Sequence, residues 1–125
     1  MAQQMNSVVW FEIPVNDMAR AQKFYEAVFG VKTTPDEMGP MKMAMLPWAQ
    51  GAPGAAGALV QGPGLTPSHA GTVVYFSVDE IDAALAKVNK NGGKTLVPRT
   101  SIGEHGFFAH FEDTEGNRVA LHAMK

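Results

Sequence analysis

Hydrophobic and polar positions follow a strand pattern and then a helix pattern near the start of the chain. The stretch "SVVWFEIPVND" is rich in β-branched and aromatic residues, which predicts a strand over residues 8–14. The apolar positions that then recur at helical spacing are Met18, Ala21, Tyr25 and Val28. Asn16 or Asp17 is suited to cap this helix, and Gly30 to end it.

The second half of the chain repeats the pattern. "TVVYFSVDE" predicts a strand over residues 72–78, with Asp79 as the helix cap, and Gly92 and Gly93 end the helix. The apolar stripe of this helix is Ile81, Ala84, Leu85 and Val88. A shift of 63 residues superimposes the strand and helix positions of the two halves. We therefore interpret the chain as two copies of one structural unit.

Short strand patterns follow each predicted helix. They cover residues 31–34, 41–47 and 55–62 in the first half, and residues 94–98, 106–113 and 117–123 in the second. "DTEGN" has the residues of a hairpin turn between the last two strands. Each half is then a βαβββ module within one domain that spans residues 1–125. Module one covers about residues 7–62, a Gly- and Pro-rich linker about 63–71, and module two about 72–125.

Composition narrows the function classes. The chain of 125 residues has a formal net charge of −2 and no basic run, so we expect no nucleic-acid partner. It has no cysteine, which excludes disulfides and thiolate chemistry. The first residues lack the pattern of a secretion signal, and no apolar run reaches the roughly 20 residues that span a bilayer. We expect a cytoplasmic protein without a membrane partner.

Three stretches carry a resemblance to a known family. They are "FEIPVNDMARAQKFYEAVFG" at 11–30, "VYFSVDEIDAALAKVNKNGGK" at 74–94 and "DTEGNRVALH" at 113–122. With their spacing, the chain resembles the vicinal oxygen chelate superfamily, which holds glyoxalase I, extradiol dioxygenases and bleomycin-resistance proteins. The resemblance implies an α+β fold of two βαβββ modules whose curled antiparallel sheets form a cavity. It also implies a homodimer, because modules of the superfamily pair within or between chains and open sheet edges invite a second subunit.

The resemblance implies four metal-ligand positions, which metal-binding members fill with His or Glu. In this chain the four positions hold Trp10, Ala58, Val73 and Ala120. None of these side chains offers the imidazole or carboxylate donors that metal ions need. We therefore expect no metal and no cofactor.

Strand alternation defines the predicted cavity. If Trp10 faces inward, then Glu12 does too, and the inward set of the second half follows from Val73. The predicted lining is Trp10, Ala58, Val73, Tyr75, Ser77, Phe107, Phe111 and Ala120. His122 shares its side of the strand with Ala120, whereas we expect His110 to face the helices or solvent.

Glu12, Tyr75 and His122 form the polar cluster of that cavity. Glu12 and His122 are the candidate catalytic residues, because a carboxylate in an apolar concavity has a raised pKa and serves as a general base. The alternative is that Glu12 pairs with Arg20 or Arg118 and has a structural role.

The first functional hypothesis is a protein that binds a small apolar or aromatic molecule without metal. The alternative is a lyase, isomerase or dioxygenase of the superfamily, either metal-dependent or using Glu12 and His122 as acid and base. We also expect Trp10 to fill the space left by the missing ligands, with Ala120 small to make room for it. The sequence does not identify the ligand.

Overall fold

A computed structural model describes residues 6–125 and places each half in the order βαβββ. The first half contains β1 (Trp10–Pro14), α1 (Met18–Phe29), β2 (Thr34–Met38), β3 (Met41–Met45) and β4 (Ala56–Gln61). The second half contains β5 (Tyr75–Ser77), α2 (Ile81–Lys90), β6 (Lys94–Ser101), a 3-10 turn (Gly103–His105), β7 (Phe107–Glu112) and β8 (Arg118–Ala123). The α+β architecture predicted from the sequence is confirmed.

Each half folds into one four-stranded sheet, in the orders β1-β4-β3-β2 and β5-β8-β7-β6. The sheets are mixed and not wholly antiparallel, because β1 runs parallel to β4 and β5 runs parallel to β8. The connection explains this direction. The helix returns the chain to the end of the sheet at which the first strand began. The next three strands run up, down and up, so the last of them is parallel to the first strand.

Most element boundaries agree with the sequence pattern. Asp17 caps α1 by accepting a hydrogen bond from the backbone N–H of Arg20 at 3.1 Å, and Gly30 ends the helix with a φ of 66°. Two predictions were wrong. The second strand lies at Thr34–Met38 instead of residues 31–34, and Glu80, without a side-chain cap bond, takes the position predicted for Asp79.

The main core lies between the sheets and the helices and joins both halves. It contains the helix-facing residues of both modules, such as Tyr25 and Leu59 from the first half and Val88 and Phe111 from the second. The two helices also contact each other. Neither helix within residues 6–125 combines the length and apolarity needed to cross a membrane.

The turn between β7 and β8 fastens the halves together through buried polar groups. Glu115 accepts hydrogen bonds from the backbone N–H groups of Asn16 and Asp17, each at 2.9 Å, and from the Arg20 guanidinium at 2.7 and 2.9 Å. Burial alone would raise the pKa of the Glu115 carboxyl, but these hydrogen bonds lower it to about 2. The turn is therefore a clasp that holds the start of α1.

Two more hydrogen bonds extend this clasp. The Tyr25 hydroxyl donates to Asp113 at 2.6 Å, and the Asn117 amide donates to the carbonyl of Pro14 at 2.8 Å. Burial, together with the neighbouring Asp113 carboxylate, raises the pKa of Tyr25 well above its usual value. Each module thus satisfies polar groups of the other.

Candidate functional site: a cleft and two open sheet faces

Each sheet has a second face that points away from the helices. Directly paired strand residues share a face, so the register of β1 and β4 places Glu12 with Ala58. In the first half this open face carries a small apolar cluster of Met43, Ala58 and Val60, with Met41, Met45 and Leu65 packed against it. Methionine side chains adapt their shape, so this face is apolar and deformable.

A cleft of about 1630 Å³ separates the edge strands β1 and β5. Five of the residues predicted for the site line it, namely Trp10, Glu12, Val73, Tyr75 and Ser77. Phe11, Phe29 and Phe76 also line the cleft. Phe29 stacks on Phe76 with ring centroids 4.4 Å apart, and Phe11 meets Phe76 edge to face at 5.6 Å. The cleft therefore offers aromatic surface from both halves.

A glycine allows this aromatic packing. Phe11 lies opposite Gly57 in the register of β1 and β4, and its ring covers that position. A Cβ atom at residue 57 would lie 2.5 Å from the ring, which is closer than van der Waals contact allows. Gly57 therefore leaves the space that the Phe11 ring occupies.

Phe107 and Phe111 were assigned to the wrong face. Phe111 is fully buried in the core beneath the helices, and Phe107 packs against the same core. In the β7–β8 register the residue opposite Ala120 is His110, and the two phenylalanines lie opposite other residues. His110 lies with Ala120 on the open face and not on the helix-covered face, because a shift of one residue exchanges the two faces of a strand. His110 is not among the cleft-lining residues.

Trp10 does not fill the space between the four superfamily ligand positions. Its side chain lines the cleft and the residue is 38% exposed, whereas Ala58 and Ala120 are fully buried and do not line the cleft. The indole N–H donates to the Glu12 carboxylate at 3.2 Å. Trp10 is therefore a wall of the cleft and not a filler of the core.

The candidate catalytic residues do not share the cleft. Glu12 lines it, but His122 is not among its lining residues. His122 Nε2 lies 2.6 Å from the backbone carbonyl oxygen of His105, to which it donates. The structural role considered for Glu12 is not seen either, since its side chain bonds to Trp10 and no ion pair of Glu12 forms within residues 6–125.

The open face of the second half carries a chain of polar side chains that the sequence pattern did not predict. Arg118 Nη1 lies 2.8 Å from His110 Nδ1, and His110 Nε2 lies 3.1 Å from the Tyr75 hydroxyl. Burial, followed by the positive charge of Arg118, lowers the pKa of His110 below its usual value. Both causes favour the neutral imidazole.

The superfamily metal site fails a test of donor chemistry in this chain. Indole and aliphatic side chains at Trp10, Ala58, Val73 and Ala120 hold no lone pair suited to a cation. Within residues 6–125, no three His, Asp or Glu side chains come together as a metal-binding group. The residues present do not fit the metal.

Comparison with known proteins agrees with this fold. A glyoxylase-like domain-containing protein of Didymella fabae is 34% identical over 116 residues, covering 88% of each chain. The antibiotic-binding protein TnmS3 of a Streptomyces species superimposes with a TM-score of 0.69 at 23% identity, covering 98% of each chain. A glyoxalase I variant of Zea mays gives a TM-score of 0.73 at 24% identity over 93% of this chain. These two structural matches show a shared fold.

The present chain spans 45% of the maize protein, less than half its length. The family model described as Glyoxalase/Bleomycin resistance protein/Dioxygenase superfamily matches residues 7–121, which is nearly the whole chain. The chain belongs to this superfamily.

Proposed function

We propose that the protein binds a small aromatic molecule in the cleft between its halves and does so without a metal ion. The observation that carries this proposal is the aromatic lining, which includes Phe29 stacked on Phe76 and the partly exposed Trp10. Binding sites of this kind combine apolar walls with a few polar groups, and here Glu12 and Tyr75 supply such groups. TnmS3, which shares the fold, is described as an antibiotic-binding protein.

Intrinsic fluorescence tests this proposal directly, because the chain has only two tryptophans. The probe is N-phenyl-1-naphthylamine, a neutral aromatic dye. In Trp48→Phe, where Trp10 is the only indole, the dye should quench the emission in a saturable way. Trp10→Ala should weaken dye binding at least ten-fold, whereas the matched variant Trp48→Ala should not, since Trp48 is 66% exposed and is not among the cleft-lining residues. Equal dye affinity in both alanine variants would contradict the proposal.

The alternative of a lyase, isomerase or dioxygenase has less support. Acid–base catalysis by Glu12 and His122 needs both groups against one substrate, and only Glu12 lines the cleft. A metal-dependent reaction lacks donors at the four positions of the superfamily site. We therefore place binding before catalysis.

The same proposal includes a homodimer. Val9 is 69% exposed and is not among the cleft-lining residues, and each sheet has open edges that invite a second subunit. A second subunit would cover this surface. Light scattering should give a mass of twice 13.4 kDa at micromolar concentration, and a monomer mass would contradict it.

A further inference from the structure

The chain of hydrogen bonds on the second sheet crosses three strands. Tyr75 on β5 and His110 on β7 both pair with Ala120 on β8, so the three residues form one row on one face. Neighbouring strands lie about 4.8 Å apart, so a bond between the outer two residues passes over the middle one. Ala120 is fully buried, and its small side chain leaves room for the rings of Tyr75 and His110 to meet.

The direction of the protons follows from Arg118. A guanidinium group only donates hydrogen bonds, so His110 Nδ1 must accept from it. A neutral imidazole that accepts at Nδ1 carries its proton on Nε2, and this proton is donated to the Tyr75 oxygen. The Tyr75 hydroxyl proton then remains available to a further acceptor. All three donors point the same way, from Arg118 through His110 to Tyr75.

The charges around this chain favour an anionic acceptor at its end. Within residues 6–125, no carboxylate oxygen lies within 4.0 Å of a nitrogen of Arg118. Glu112 is the residue opposite Arg118 on β7, but its carboxylate is bonded to His69 at 2.7 Å and lies 3.9 Å from Lys94. Arg118 therefore polarises the hydrogen bonds that lead through His110 to Tyr75, and Tyr75 is 52% exposed and lines the cleft.

We propose that Tyr75 binds an acidic oxygen of the ligand, with His110 and Arg118 as positioning residues, so that the cleft selects aromatic molecules bearing a carboxylate. Glu12 lies in the same cleft and disfavours a carboxylate near Trp10. Glu12 on β1 and Tyr75 on β5 would thus orient the ligand, with its ring against the aromatic lining and its acidic group at Tyr75. This inference rests on the proposed function and assigns the ligand class of that cleft.

The test compares 2-naphthoate with its neutral amide, 2-naphthamide, by calorimetric titration. Wild type should bind the carboxylate about ten-fold more tightly than the amide, since a hydrogen bond to a charged group is stronger than one to a neutral group. Tyr75→Phe, which removes only the hydroxyl, should abolish this preference and should weaken amide binding less than carboxylate binding. Equal affinity of wild type for the two probes would overturn the inference and leave the proposed function standing. Absence of saturable binding by either probe would overturn both.

Two arginine variants separate this specific chain of hydrogen bonds from general charge. Arg118→Gln should lose the carboxylate preference. Arg99→Gln removes an equal charge from the same sheet, where Arg99 lies over the Phe107 ring at 3.7 Å, and should keep the preference. If both variants lose it equally, long-range charge and not the chain of hydrogen bonds explains it. Long-range ¹H–¹⁵N NMR of His110 should show a proton on Nε2 in wild type, and a proton on Nδ1 would overturn the assignment.

Discussion

The two halves of the molecule share one order of elements, yet their open sheet faces differ in chemistry. The helix-facing positions are apolar in both, with Leu59 in the first half and Leu121 in the second fully buried. On the opposite face, the first half presents an apolar cluster that includes Met43. The second half presents the chain from Arg118 through His110 to Tyr75.

This difference shows which positions of the sequence the fold constrains. The core requires apolar side chains beneath the helices in both modules, so the repeat is readable there. The open faces have no such requirement. The open face is apolar in the first half and polar in the second. Tyr75 brings the polar chain of the second half to the cleft, whereas the methionine cluster of the first half does not line it.

The largest expected effect comes from breaking the clasp that holds the halves together. The carboxyl of Glu115 has its pKa lowered from 4.5 to about 2, and its side chain is fully buried. A shift of this size corresponds to about 3 kcal/mol of folding free energy at pH 7. Glu115→Gln should lose about that amount in urea denaturation, whereas Glu104→Gln, at a side chain 89% exposed, should change stability by less than about 0.5 kcal/mol.

The pH dependence of the folding free energy has the same cause, which is the lowered pKa of Glu115. The lowered pKa means that the unfolded chain binds a proton at higher pH than the folded chain does. The contribution of Glu115 is therefore complete above pH 4.5 and is lost as the pH falls toward 2. Glu115→Gln should lack this component of acid destabilisation. An unchanged acid profile in the variant would contradict the role of the clasp.

A smaller effect should distinguish the two open faces directly. Ala58 and Ala120 occupy corresponding positions, and both are fully buried. Ala120→Leu should cost about 1–3 kcal/mol, because it overfills the space beneath Tyr75 and His110. Ala58→Leu should cost less, because the methionines around Ala58 adjust their shape. Denaturation of both variants measures the difference, and equal costs would mean that the first face is as rigid as the second.

Trp10→Ala should change stability still less. The residue is 38% exposed, so truncation removes only part of a buried surface, and we expect a loss of about 1 kcal/mol. A fully packed indole would cost about 3–5 kcal/mol. Thermal and urea denaturation of the variant decide between a cleft wall and a core residue. A loss in the upper range would restore the idea that Trp10 fills the former ligand site.

Much of the fold was predictable from the sequence. Alternation and helical spacing gave both helices and most strands, because helix-facing positions must be apolar. The strand at Thr34–Met38 was misplaced because "TPDEM" contains a proline and two acids and has no apolar alternation. The parallel pairing of β1 with β4 depends on chain direction around the sheet, which residue patterns do not display.

Alternation along a strand does not separate the residues of the cleft from their neighbours. Trp10, Glu12, Tyr75 and Ser77 line the cleft, but so do Phe11 and Phe76 on the opposite sides of the same edge strands. His110 depends on which residue of β8 it opposes, and the turn sets this register. Asp113 N–H donates to the Asn117 carbonyl at 3.0 Å, which closes the turn. Counting outward from that bond pairs residue 110 with residue 120, so the signal was present in the length of "DTEGN".

The smallest expected effect is that of a metal chelator on the melting temperature. Both halves lack metal donors at the superfamily ligand positions. The first half contributes Trp10 and Ala58 to the superfamily metal site, and the second contributes Val73 and Ala120. Because these four side chains offer no donor atom, they cannot replace the water molecules that coordinate a free cation. EDTA should leave the melting temperature unchanged, added Zn²⁺ should not raise it, and mass spectrometry should find no stoichiometric ion. A fall in melting temperature with EDTA would mean that donors outside these four positions hold a metal. The proposal of metal-free binding in the cleft would then be wrong.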